Sequence, residues 1–170
     1  MEMIFVLVSI VQSIAIALGV GCSTVAIVSF FVAISDGNIN PEERRMLGVV
    51  YTLLRLAMVF ILLSTILLFF IPDGSLSTLI TPFITSRWVL VAVLFINSLL
   101  MTKHIMPSNI GPAIQAGTWY TLGVTGALIP LGLVQYSFLE FTVGYLATLA
   151  LAVALVNATM AHLKHKALQK

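Results

Sequence analysis

The chain contains 170 residues, of which 60% are hydrophobic and 8% are charged, and its formal net charge is +2. Soluble domains of average composition contain about 45–50% apolar and about 25% charged residues. A water-soluble globule of this composition could not cover its surface with polar side chains, which excludes cytosolic enzymes and DNA-binding modules. The long apolar segments do not alternate polar and apolar residues, so an outer-membrane barrel is excluded as well.

Five apolar segments follow one another along the chain, and each is long enough to cross a bilayer as a helix. The expected spans cover residues 4–34, 46–71, 82–104, 112–133 and 138–163. No intervening segment is long enough to form a soluble domain. The sequence therefore predicts an all-α integral membrane bundle of five transmembrane helices, forming a single domain over residues 1–170.

Capping and helix-breaking residues separate these segments. N-cap patterns precede three of them: Asn40 with Pro41 and Glu43, Thr81 with Pro82, and Ser137 with Glu140. Such residues accept or return hydrogen bonds at the free N–H groups of a first turn. A turn cluster at residues 72–74 is expected to end the second helix, and Pro130 is expected to bend or end the fourth.

The basic residues indicate an orientation. Most of them fall on one face of an alternating five-span topology: Arg44, Arg45, Lys103, Lys164, Lys166 and Lys170. Arg87 lies just inside the third span. Because cytoplasmic loops carry the excess of Lys and Arg, we expect the N-terminus outside and the C-terminus in the cytoplasm. The expected location is the cytoplasmic (inner) membrane.

Small residues recur at four-residue spacing in the first span, at Ala15, Gly19 and Ser23. This spacing lets neighbouring helices approach closely, so we expect tight packing along this face. The single cysteine, Cys22, lies in the same apolar run and is interpreted as a small buried side chain.

Arg55 is the most informative charged residue, because it falls about 13 Å into the second span and so near the bilayer centre. Insertion scales assign about 2.5–3.5 kcal/mol to an arginine at this depth, so a buried partner, a water-filled cavity or a bound anion is expected. No acidic residue of the sequence falls at the same depth. We therefore interpret Arg55 as a residue that faces the protein interior.

Uncharged polar residues from four spans fall in the cytoplasmic half of the bundle by the same arithmetic. They are Ser23, Thr24, Asn97, Gln115 and Asn157. Together with Arg55 they are the candidate ligand or pathway residues of a polar vestibule. The alternative is that they form hydrogen bonds between helices and only hold the bundle together.

Histidine and methionine residues form a second, weaker constellation at the cytoplasmic ends of the helices. Its members are His104, His162, His165 and Met101. Imidazole and thioether ligands suit copper, and two histidines on facing helices could ligate a haem. The alternative is that they are ordinary interfacial residues, as their lysine-rich neighbourhood indicates.

Three functions remain. The sequence favours transport or permeation of a small polar or anionic solute through an oligomeric helical bundle. The alternatives are an accessory subunit of a larger membrane complex and a haem- or copper-binding redox bundle. Catalysis is less favoured, because no acid–base pair lies at membrane depth and no phosphate-binding loop follows a strand. The expected partners are the lipid bilayer and other membrane subunits, and no nucleic acid.

Overall fold

The computed structural model describes residues 2–36, 40–70, 81–107, 110–129, 131–133 and 135–168. The structure in these ranges is all-helical. Its elements are α1 (Glu2–Asp36), α2 (Pro41–Phe70), α3 (Pro82–Thr102), α4 (Gly111–Leu128) and α5 (Phe138–Leu168). The five helices correspond in order to the five predicted segments. The turn cluster at residues 72–74 and Pro130 lie outside the described residues.

The predicted helix N-termini are present. The backbone N–H of Asn40 donates to Glu43 Oε2 at 2.9 Å, and Thr81 Oγ1 accepts from the N–H of Ile84 at 3.3 Å. The Ser137–Glu140 capping box is complete, with the Ser137 N–H donating to Glu140 Oε2 at 2.7 Å and the Glu140 N–H donating to Ser137 Oγ at 3.2 Å. The capping predictions are therefore confirmed.

The fourth helix ends earlier than the predicted position at residue 133. After Leu128 the chain closes a Schellman motif, in which Gly132 N–H donates to Ile129 O at 3.0 Å and Leu133 N–H donates to Leu128 O at 3.1 Å. Gly132 has φ of +67°, a left-handed conformation that glycine adopts without a steric penalty. The helix therefore stops at a glycine C-terminal motif five residues before the end of the apolar segment.

Among the described residues, four helical segments are long and apolar enough to cross a membrane: Met3–Val32, Pro41–Phe70, Pro82–Thr102 and Phe138–Leu163. Helix α4 is shorter and is not one of these four. Its sequence contains several polar residues, among which Gln115, Thr118, Thr121 and Thr125 are buried. Together the apolar helices indicate a lipid bilayer environment.

The packing explains the polar character of α4. This helix contacts α1, α3 and α5, and most of its residues are buried. Its hydroxyl groups are satisfied inside the bundle: Thr118 Oγ1 donates to Ile114 O at 2.7 Å, and Thr121 Oγ1 donates to Gly117 O at 2.8 Å. Because its neighbours cover it, α4 does not need a fully apolar surface.

A group of buried apolar side chains lies in the middle of the bundle. Ile61 of α2, Leu94 of α3, and Trp119 and Leu122 of α4 belong to one buried cluster, and all four are at most 1% exposed. We call these four residues the apolar layer. Gly19 of α1 lies against it, since a Cβ added at this glycine would fall 2.3 Å from Cε3 of Trp119.

Candidate functional site

Two cavities are formed by the same four helices. One has a volume of about 1490 Å³ and includes Arg87 in its wall, and the other has a volume of about 440 Å³ and includes Arg55. We call them the Arg87 cavity and the Arg55 cavity. Helices α1 and α3 contribute their N-terminal halves to the Arg87 cavity, whereas α2 and α4 contribute their C-terminal halves. The other half of each helix lines the Arg55 cavity, so the two cavities lie at opposite ends of the bundle.

The apolar layer falls between the two cavities on each helix that contributes to it. On α4, Gly123 and Gly126 line the Arg87 cavity, Gln115 lines the Arg55 cavity, and Trp119 and Leu122 lie between them. On α2 and α3 the intermediate positions are those of Ile61 and Leu94. The residues of this layer therefore lie between the linings of the two cavities along these three helices.

Arg87 is held in the wall of its cavity by groups from three helices. Its Nη1 donates to Oε1 of Gln12 on α1, and the Gln12 amide donates in turn to Thr65 Oγ1 on α2 at 3.3 Å. The guanidinium carbon lies 5.0 Å from the centroid of the Phe83 ring, a cation–π distance. These two hydrogen bonds fix the position of the charge, because the Gln12 amide oxygen accepts from Arg87 while its nitrogen donates to Thr65.

The charge of Arg87 lacks a carboxylate partner in the described part of the chain. Its Nε is buried without a hydrogen bond, and Nη1 alone of its nitrogens bonds to a described residue. The rest of the wall is mainly apolar and includes Phe5, Ile16, Leu68, Phe69 and Trp88. An arginine in such a surrounding is costly unless an anion or water completes its hydrogen bonds.

Several of the candidate residues identified from the sequence line the Arg55 cavity. Ser23, Arg55 and Gln115 line it, together with His104 and Met101 from the end of α3. Ser23 is buried and its Oγ has no hydrogen-bond partner. The cavity therefore offers a hydroxyl, an amide and a guanidinium group from α1, α4 and α2.

Asn97 does not line this cavity but bonds to Gln115, which does. Its Nδ2 is within 3.0 Å of Gln115 Oε1 and within 2.9 Å of Gly111 O, and it also approaches Met101 Sδ at 3.4 Å. The amide of Gln115 reaches Met58 Sδ at 3.5 Å. The Asn97–Gln115 pair links α3 to α4 and orients Gln115 in the cavity wall.

Two candidate residues and one orientation differ from what we expected. Thr24 is exposed and bonds to Tyr120 Oη at 2.6 Å, and Asn157 lies on an exposed face of α5, so neither lines the Arg55 cavity. Arg55 lines the cavity, but its side chain is exposed and not enclosed in the interior. The depth arithmetic places residues along a helix axis, whereas the side of the helix depends on packing.

The histidines lie at the ends of two helices. His104 lies at the end of α3, while His162 and His165 are exposed near the end of α5. Among the described residues no group of three His, Cys, Asp or Glu side chains could hold a metal ion. In that part of the chain the weak metal candidates do not form a cluster of this kind.

The sequence analysis missed Gln12 and underestimated Arg87. Helices α1 and α3 run in the same direction in an alternating bundle, so polar residues near their two N-termini fall at similar depths. Applying the depth arithmetic to Gln12 and Arg87 would have placed them in the same half of the bundle, without showing that their side chains face each other.

Comparisons with known protein families, with curated proteins and with solved structures find no match. The functional argument therefore depends on the geometry of these two cavities.

Proposed function

We propose that this protein carries a small polar or anionic solute across the membrane, by way of the Arg87 and Arg55 cavities. The observation that supports this proposal is the arrangement of two cavities at opposite ends of one bundle, each with an arginine in its wall. Positive groups at both ends favour the entry of anions and disfavour cations. In this proposal the apolar layer keeps the two cavities separate, as a carrier in its resting state requires.

The proposal includes a topology of five spans with the C-terminus in the cytoplasm. In support, each of the first four helices gives one end to each cavity, in the alternating sense that an up-and-down bundle produces. Helix α4 then crosses the membrane packed against three more apolar helices, α1, α3 and α5. By the positive-inside rule the Arg55 cavity, near Lys103, opens to the cytoplasm and the Arg87 cavity opens outside.

Trp119 provides the experiment, because it is the largest side chain of the apolar layer. The variant Trp119→Ala, reconstituted into phosphatidylcholine vesicles loaded with chloride, should release chloride faster than the wild-type protein. Adding Arg87→Gln to this variant should slow the release, because the anion loses its positive group at one end. Glucose efflux should stay at the level of the empty vesicles.

The control for a general loss of packing is Leu151→Ala, which shortens a side chain on the exposed face of α5, away from both cavities. This variant should be as tight to chloride as the wild-type protein. Each protein is first tested for a single symmetric gel-filtration peak. Chloride release equal to that of empty vesicles in the Trp119→Ala protein would contradict the carrier proposal.

The accessory-subunit alternative remains compatible with the large exposed apolar surfaces of α1 and α5, which suit lipid or another subunit equally well. A homo-oligomer is compatible for the same reason. The carrier proposal requires neither a second subunit nor a homo-oligomer, since both cavities lie within one chain. Stable co-purification with a second protein in mild detergent, without chloride release, would favour the accessory role.

A further inference from the structure

The Arg87 cavity is much larger than a small anion requires. Its volume of about 1490 Å³ exceeds the roughly 300–1,000 Å³ that is usual for pockets of drug-sized ligands. Most of its wall consists of aliphatic and aromatic side chains from α1, α2 and α3, including Phe5, Leu68 and Phe69. A ligand that fills this space must itself be mainly apolar.

The single charged group of the described wall, Arg87, has a hydrogen-bonding edge that is not paired with a described residue and whose Nε is buried. Nη1 of Arg87 is used by Gln12, but Nε has no partner, and Nη2 forms no hydrogen bond with a described residue. Nε and Nη2 together form the fork that binds a planar carboxylate through two parallel hydrogen bonds. One guanidinium also balances the one negative charge of a carboxylate.

Gly126 leaves room beside this edge. A Cβ built at Gly126 would lie 3.7 Å from Nη2 of Arg87, in ordinary contact, so a longer side chain there would occupy the space next to the guanidinium. The backbone of α4 thus leaves the position beside the charge open. The cavity combines one anion-binding edge with a long apolar wall.

We propose that the Arg87 cavity binds a free long-chain carboxylate, with its head on the Nε–Nη2 edge of Arg87 and its chain along the apolar wall. The inference rests on the proposed function in treating this cavity as a solute site, and it names the class of solute. It differs from a site for membrane phospholipid, in which a phosphate headgroup and not a free carboxylate would occupy the Nε–Nη2 edge of Arg87.

The two tryptophans of the chain permit a direct binding experiment. Trp88 lines the Arg87 cavity and Trp119 belongs to the apolar layer, so the variant Trp119→Phe leaves Trp88 as the sole indole reporter. In phosphatidylcholine nanodiscs, dibromostearate should quench Trp88 with a saturable dependence on concentration, and unlabelled stearate should reverse the quenching. The methyl ester partitions into the bilayer without a charge and should give only weak, unsaturable quenching.

Variants of the binding edge complete the test. Arg87→Gln in the Trp119→Phe protein should weaken dibromostearate binding at least tenfold, and Arg87→Lys should weaken it less, since a lysine keeps the charge and loses the fork. Gly126→Leu keeps the arginine and should weaken binding by obstruction. Its matched control is Gly144→Leu on α5, where no atom of a described residue lies within 4 Å of an added Cβ and binding should be unchanged.

Equal quenching by the acid and its methyl ester would overturn the inference, as would unchanged binding in both the Arg87→Gln and Gly126→Leu proteins. Loss of dibromostearate binding in discs that contain phosphatidylglycerol would also overturn it, because the site would then prefer a phospholipid headgroup. Saturable quenching without chloride release by Trp119→Ala supports the site and rejects the carrier. Chloride release without quenching supports the carrier and rejects this solute.

Discussion

The indole ring of Trp119 packs against the backbone of Gly19, so closely that an added Cβ would lie 2.3 Å from Cε3 and 2.4 Å from Cζ3 of the ring. This contact joins α1 to α4 at the level of the apolar layer. Gly19 belongs to the stripe of small residues in α1, whose other members, Ala15 and Ser23, are also buried. The expected close packing of this face is therefore found within one chain.

Gly19→Ala should destabilise the protein by roughly 1–3 kcal/mol, because the methyl group forces the rigid indole out of its position. Gly21 is the matched control, two residues along the same helix, where no atom lies within 4 Å of an added Cβ. Gly21→Ala should be neutral or stabilising by about 0.5–1 kcal/mol, since alanine is favoured over glycine in a helix interior. Thermal unfolding in one detergent ranks the two variants. Equal stability of both would mean that the indole moves aside without cost.

His104 occupies the left-handed position of a Schellman motif at the end of α3. Its φ is 55°, its N–H donates to Met101 O at 3.0 Å, and the N–H of Ile105 donates to Leu100 O at 3.0 Å. This conformation costs roughly 1–2 kcal/mol for a residue with a Cβ. His104→Gly should therefore raise the stability by about 1 kcal/mol, measured by thermal unfolding.

Gly132 at the end of α4 adopts the same left-handed conformation, so replacing this glycine tests the opposite change. Gly132→Ala should lower the stability by about 1 kcal/mol, and the two changes should have opposite signs. If His104→Gly destabilised the protein, the imidazole would contribute more through its contacts in the Arg55 cavity than the backbone strain costs.

Cysteine accessibility distinguishes a wet cavity from dry contacts between helices. In a Cys22→Ala background, cysteines at positions 23 and 115 should react with a small water-soluble thiol reagent supplied from the cytoplasmic side, since both line the Arg55 cavity. A cysteine at position 97 should react several-fold more slowly, because Asn97 does not line the cavity and its amide is bonded to Gln115. A cysteine at position 157 should match one at Leu151, as both are on the exposed surface of α5.

Protection of positions 23 and 115 equal to that of position 97 would mean that the Arg55 cavity is dry. The polar residues would then hold the bundle together, as membrane hydrogen bonds of about 0.6 kcal/mol each do. The transport proposal would lose its cytoplasmic entrance.

The topology is checked by reporter fusions on both sides of α4. A reporter after Ile105 should be cytoplasmic, one after Leu133 should be external, and one after Lys170 should be cytoplasmic. This pattern is expected because the basic residues alternate onto one face and α4 packs against three more apolar helices. Reporters on the same side at Ile105 and Leu133 would show that α4 does not cross the membrane.

The sequence by itself was enough to predict the lipid environment, the number of helices and the capping of their ends. The bilayer sets the length and the apolar character that a spanning segment needs, whichever helices lie beside it. Capping is also local: the Ser137–Glu140 box joins residues three positions apart, and so do Thr81 and Ile84. These features could be predicted because every interaction involved lies within one turn of helix.

Depth along a helix was also predictable, and it correctly brought Asn97 to the level of Gln115, where the two amides bond at 3.0 Å. The direction of a side chain around the helix was not, because it depends on which neighbour covers each face. Thr24 and Asn157 have suitable depths and the wrong faces. Arg55 reaches its cavity from an exposed position.

Only the tertiary structure decided that the two arginines belong to separate cavities and that Trp119 lies between them. The pairing of Arg87 with Gln12 joins residues 75 positions apart, and the contact of Trp119 with Gly19 joins α4 to α1. Such contacts depend on the packing of whole helices, to which many small interactions contribute. A single sequence contains no local signal for that packing, so the site appears only when the bundle is assembled.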